Sequence, residues 1–235
     1  MKTNKKLPLL LITAFILFTI IGTLSHEAGH YFAAKSFGYE AQISYASTHW
    51  DDKGTRENIN STFLKHRDEI LAKRKFIGSD IFYPILKRYW RNDFYINIWG
   101  PLQTILTGTL GFIFLLVYRK SFFFTSRLLL SQWLFIFTSL FWLRQPFNFI
   151  IWVFSYFLDD KPSYRMDELK IAEYLRLPLV SIIAFTSLIG ITIISFVIFK
   201  FIPLPQRKTF IMSGLIGGLL GFILWMYILG PILLP

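Results

Sequence analysis

Apolar residues gather in long uninterrupted blocks, separated by segments in which both signs of charge are crowded together. The blocks cover residues 7–24, 94–118, 128–157, 179–199 and 209–229. Each reaches the roughly 18 residues at which an apolar run marks a membrane-crossing helix. The pattern predicts an all-α polytopic membrane protein with about five transmembrane helices, built as a single integral membrane domain over 1–235. The first helix is expected to continue through residue 37. The third block is too long for one straight crossing at about 1.5 Å per residue. It contains Arg144, Gln145 and Pro146, which predicts a kink there.

Two connections mix acidic and basic residues. Residues 38–93 are long, charged and rich in aromatic side chains, and are expected to form an outward-facing cap segment outside the membrane. Within them "STFLKHRDEILAKRKFIG" reads as amphipathic. Residues 158–178 contain "DELKIAEYL", a short helix for which Asp167 is the expected N-cap. The other connections are purely basic: Lys2, Lys5 and Lys6; Arg119, Lys120 and Arg127; Lys200, Arg207 and Lys208. Lys and Arg are retained on the cytoplasmic side, so these three segments face inward. The N-terminus is then cytoplasmic and the C-terminus outside.

Composition narrows the class. Hydrophobic residues make up 54% of 235 and aromatics 19%, more apolar side chain than a soluble domain of this size can hide. The net charge of +11 follows from the basic segments, and no nucleic-acid motif or basic stripe accompanies it. The expected partners are membrane lipids and a membrane-protein or peptide substrate, with no nucleic acid. The Lys-rich start and first apolar run are similar to a signal peptide, but they lead into a charged cluster without a small-residue cleavage pattern, which points to a retained helix. Cysteine is absent, so any transition metal must be held by His and carboxylates. Short Lys-rich inner segments without cysteine fit a bacterial inner membrane.

The chemistry concentrates in His26-Glu27-Ala28-Gly29-His30. Histidines at i and i+4 lie one turn apart on a helix face, so both imidazoles reach one ion. Glu27 sits about a quarter-turn away, able to reach a water beside the metal without being a ligand. This is the HExxH arrangement of two zinc ligands and a general base. Ionisable groups at the end of an apolar helix are costly without a role. A third ligand is required, and the topology places Asp159, Asp160, Asp167 and Glu168 on the same side as the histidines. Asp167 is the first choice, followed by Asp160 and Asp159; His49 and His66 read as solvated loop residues. Gln145 and Asn148, with Arg144, either hydrogen-bond a substrate backbone or oxyanion, or satisfy carbonyls freed by Pro146. The glycines of "SGLIGGLLGF" predict close helix contact.

"HEAGHYFAAKSFGYEAQI" resembles the first motif of site-2-protease-type intramembrane zinc metallopeptidases, in which HExGH lies on a membrane helix and leads into a Gly turn. "WGPLQTIL" resembles the family's Gly-Pro segment, with Gln103 near the place where an Asn is usual. The family's third ligand is an Asp followed by Gly. Here "RQPFN", "FLDD" and "RMDELKIAEYLRLP" are the nearest stretches, none carries that Gly, and Asp167 is best placed to match the Asp. The resemblance implies peptide-bond hydrolysis in or beside the membrane with Zn2+ as cofactor, and places Gly100, Pro101 and Gln103 beside the substrate cleft. The alternative is a zinc-binding membrane protein without protease activity, serving structure, sensing or transport.

Overall fold

The computed structural model describes residues 6–123, 128–158 and 166–235. Among them the order is α1 (Leu7–Ser36), β1 (Glu40–Ile43), β2 (Thr48–Asp51), α2 (Thr55–Lys65), α3 (Arg67–Leu71), α4 (Ser79–Val117), α5 (Arg119–Phe123), α6 (Leu130–Ser139), α7 (Arg144–Leu158), α8 (Asp167–Tyr174), α9 (Val180–Phe201), α10 (Leu204–Ile223) and α11 (Gly230–Leu233). Five helical stretches among the described residues are long and apolar enough to cross a membrane: Leu7–Ser36, Ser79–Val117, Leu130–Leu158, Val180–Phe201 and Leu204–Leu233. Their outward faces carry exposed Leu, Ile and Phe, including Leu9, Leu110, Phe185, Leu188 and Leu215. That is the expected surface of helices solvated by lipid tails.

Two elements depart from the expected pattern, and the third block is interrupted where a kink is expected. The second long helix begins at Ser79, so residues 79–93 are helical and continuous with the apolar stretch. They carry Asp80, Lys87, Arg88, Arg91 and Asp93, and a hydropathy pattern registers only the part immersed in apolar surroundings. The third stretch is broken by a 3₁₀ turn, Leu140–Leu143, immediately before Arg144, Gln145 and Pro146. The turn lies ahead of the proline because Pro146 cannot donate to the carbonyl one turn earlier. Beside the helices stands an antiparallel hairpin, in which Glu40 pairs with Asp51 and Ile43 with Thr48. These are the only strands among the described residues.

The core forms where α1, α4, α6, α9 and α10 meet. Leu11, Phe15, Leu115, Ile136, Phe137, Val197 and Phe210 are all buried there. Close approach depends on missing side chains: a Cβ on Gly217 would lie 2.6 Å from the Ile12 carbonyl oxygen and 2.7 Å from Phe15 Cβ. The hairpin is tied to the C-terminal end, because Trp225 Nε1 donates to the Tyr45 carbonyl at 2.8 Å and Tyr45 N–H to the Leu234 carbonyl at 2.9 Å. It is also tied to α1 through Thr48, which fixes what surrounds the histidine end of that helix.

Candidate metal centre

The histidine end of α1 is closed by its own backbone. Gly38 has φ +80°, and the Tyr39 and Gly38 amides donate to the Ala34 and Lys35 carbonyls. This is a Schellman termination, in which the left-handed residue is best supplied by glycine. It stops the helix two turns past His30 and turns the chain into β1. β2 then runs back beside α1, where Thr48 Oγ1 donates to both the carbonyl (2.8 Å) and the Oε2 (3.1 Å) of Glu27. His26, Glu27 and His30 are all buried.

Helix α4 crosses α1 at this level. A Cβ on Gly29 would strike the Trp99 carbonyl, and a Cβ on Gly100 would strike the His30 ring and lie 2.8 Å from His26 Nε2. Gly100 therefore makes the room in which the two imidazoles stand. Ile96, one turn earlier, accepts a hydrogen bond from His30 Nδ1 at 2.7 Å. With the proton on Nδ1, a neutral imidazole presents the lone pair of Nε2.

Helix α8 brings the third group. Its first turn carries Asp167 and Glu168, favoured at a helix N-terminus, and it ends with Arg176 at φ +57°. Leu169, Ile171 and Ala172 are buried, and Tyr174 stacks on Phe94 of α4 with ring centroids 4.1 Å apart. Asp167 is the first helical residue and Met166 is the N-cap, with no side-chain cap hydrogen bond. This corrects the expectation that Asp167 caps α8. Its carboxylate is directed to the histidines: Oδ2 lies 3.0 Å from His26 Nε2 and 3.1 Å from His30 Nε2. The two imidazole nitrogens are 3.2 Å apart.

Three ligand atoms thus form a nearly equilateral triangle with edges of 3.0, 3.1 and 3.2 Å. A tetrahedral ion with bonds of about 2.0–2.1 Å keeps its ligands about 3.3 Å apart. Two imidazole nitrogens and one carboxylate oxygen are also the donor set of a known catalytic zinc type. A lone pair on His30 Nε2 and an anionic oxygen 3.1 Å away repel unless positive charge stands between them. The residues present fit a divalent ion. Glu27 offers a carboxylate oxygen within 4.8 Å of a nitrogen of each histidine, one water's reach away.

Although burial pushes the Asp167 carboxyl up, the imidazoles of His26 and His30 beside it hold it well below the usual carboxylate range. Its neighbour Glu168 shows the opposite balance. Burial and the charge of Asp167 push that carboxyl up, against a 3.1 Å hydrogen bond from Asn148 Nδ2 and the charge of Arg144.

The remaining expected residues divide. Gly100 and Pro101 lie in the α4 crossing, with Pro101 buried inside an unbroken helix. Gln103 donates to Ser25 Oγ and to Thr107 Oγ1, tying α4 to α1 one turn from the imidazoles. Asn148 is bound to Glu168, and Gln145 is wholly buried with neither amide atom partnered among the described residues. Asp159 and Asp160 lie outside the described residues. His49 is exposed beside Ser47, and His66 stacks on Phe76, both apart from the triangle. Thr48 and the Ile96 carbonyl have no counterpart in the sequence reading. A backbone oxygen leaves no signature in residue type, and Thr48 becomes relevant only through the unpredicted hairpin. No family model, curated protein or solved structure matches the chain.

Proposed function

We propose that this chain is an intramembrane zinc metallopeptidase of site-2-protease type, cleaving peptide bonds in or near membrane segments of protein substrates. His26, His30 and Asp167 would hold the ion. Zinc, when bound, supplies a Lewis acid and a water whose pKa is brought near neutrality. Glu27 is the general base: its carboxylate takes a proton from the attacking water and delivers it to the leaving amide nitrogen. Thr48 steadies that carboxylate through the 3.1 Å hydrogen bond. Gly100 and Pro101 line the adjoining helix, Gln103 holds it against α1, and Asn148, whose Nδ2 is held by Glu168, offers its amide oxygen to an extended substrate backbone. A cavity of about 540 Å³ lies between α2, α4 and α8, bordered by Trp90, Phe94, Asn97, Lys170 and Tyr174; neither Glu27 nor any of the three proposed ligands lines it.

In this reading the N-terminus is cytoplasmic. The hairpin, the 38–93 cap and α8 face outward, and the membrane is a bacterial inner membrane. Substrate helices must unwind locally, because their carbonyls are already hydrogen-bonded. The observation that carries the proposal is the convergence of His26, His30 and Asp167 with Glu27 one water away.

The test is Glu27→Gln. The purified protein and the variant are reconstituted with a transmembrane peptide carrying a helix-breaking Asn-Pro pair. The variant should retain one zinc and lose at least about a hundredfold in cleavage, the scale of a general base. Unchanged cleavage by Glu27→Gln, or a protein that binds zinc and cleaves nothing, would favour a structural, sensing or transport role.

A further inference from the structure

Asp167 has two carboxylate oxygens, and only Oδ2 meets the imidazoles. Oδ1 faces Lys170 Nζ at 3.8 Å, one helical turn along α8. Lys170 Nζ in turn donates to Asn97 Oδ1 at 2.9 Å. Asn97 is buried in α4, and its Nδ2 donates to the Asp93 carbonyl at 2.7 Å and to Asp93 Oδ2 at 3.0 Å. The amide is therefore held with its donor end back along α4 and its acceptor end toward Lys170. The adjacent residue, Ile96, accepts from His30 Nδ1. One turn of α4 thus addresses the histidine pair through a backbone carbonyl and the carboxylate through a side-chain relay.

We propose that Asn97 and Lys170 are positioning residues that hold the Asp167 carboxylate so that it offers a single oxygen to the metal. This inference rests on the metal-centre reading above. The physical need is specific. The carboxylate torsion of Asp is soft and roughly two-fold, so an unrestrained Asp167 can swing to present either oxygen or both. A carboxylate that supplied both would occupy the position a catalytic zinc keeps open for water or substrate. Lys170 draws Oδ1 aside, and Asn97 fixes where Lys170 can stand. Groups behind metal ligands act in this way, orienting them rather than touching the ion.

The experiment uses the full chain in detergent micelles loaded with Co2+ in place of zinc. It compares Lys170→Met, Lys170→Arg, Asn97→Ala and the Lys170→Met/Asn97→Ala double variant. Metal affinity is read by chelator competition and coordination number by the visible cobalt spectrum. Lys170→Met and Asn97→Ala should each weaken affinity by about 10–100-fold, with a spectrum shifted toward higher coordination. The double variant should be no weaker than the worse single one, because both act through the same oxygen. Lys170→Arg, which keeps the cation, should stay within about threefold of the unaltered chain. Lys170 is partly exposed, so its replacement leaves the core intact; if Asn97→Ala fails to fold, the two Lys170 variants decide. Lys170→Met binding metal as tightly as the unaltered chain with the same spectrum, or single losses that multiply in the double variant, would overturn the proposal. An unaltered chain that takes up no Co2+ would instead sink the metal centre itself, and the clamp with it.

Discussion

Helix α1 is gripped by glycines at two levels, and the two grips do opposite things. Toward its N-terminal half, Gly217 of α10 lets backbone and Phe15 come into contact, and Phe15 belongs to the apolar core. Toward its C-terminal half, Gly100 of α4 also approaches α1 closely, but the space left by its missing side chain is filled by two imidazoles. The first contact is adhesion. Without a hydrophobic driving force between helices in lipid, close packing of small residues is what holds them. The second is construction: the same economy of side chain opens a polar chamber between helices that are otherwise pressed together. A small residue at a helix crossing therefore says that two backbones meet, and only the facing residues say what for.

The largest effect belongs to Gly100→Ala. Its new Cβ would collide with the His30 ring, so metal affinity should fall by at least about tenfold, as when support of a metal ligand is disturbed. Helix content by circular dichroism should stay unchanged. Retained metal would show that the imidazoles do not need the space.

Gly217→Ala should behave in the reverse sense. Overpacking against the Ile12 carbonyl and Phe15 should cost about 1–3 kcal/mol in unfolding from micelles, with metal stoichiometry preserved. Metal loss in that variant would mean that the two levels of α1 are coupled. The smallest effect belongs to Gly218→Ala, beside it in sequence. Outside its own stretch of helix no atom lies within 4 Å of the added Cβ, and the change should alter stability by no more than about 1 kcal/mol, in the favourable direction.

Much of this architecture was legible in the residues. Five apolar blocks correspond to five long helices because a membrane-crossing helix must be apolar over its whole immersed length. The spacing of His26 and His30 states on its own that their rings can meet. Asp167 came from topology, which put an acidic turn on the histidine side, and the structure sets its Oδ2 against both imidazoles. The reason expected for it was different, since Met166 and not Asp167 caps α8.

What stayed hidden has a common cause. The charged start of α4 gives no hydropathy signal, and residues 79–93 read as a connection although they extend the helix that carries Ile96 and Gly100. The four-residue strands of the hairpin are too short to announce themselves, yet they deliver Thr48 to Glu27. Lys170 carries no signal of its own within "DELKIAEYL". Its partner Asn97 lies 73 positions earlier, a separation at which local pattern carries no information.

In the proposed reading one divalent ion bridges the end of α1 and the first turn of α8. X-ray absorption at the zinc edge, on the purified full chain and on Asp167→Ala, tests it most directly. The unaltered protein should hold one zinc per chain, with two imidazole nitrogens and one carboxylate oxygen at roughly 2.0–2.2 Å, and the variant near-background zinc. An unaltered chain that stays metal-free with zinc supplied, or an Asp167→Ala variant with an identical zinc spectrum, would contradict it.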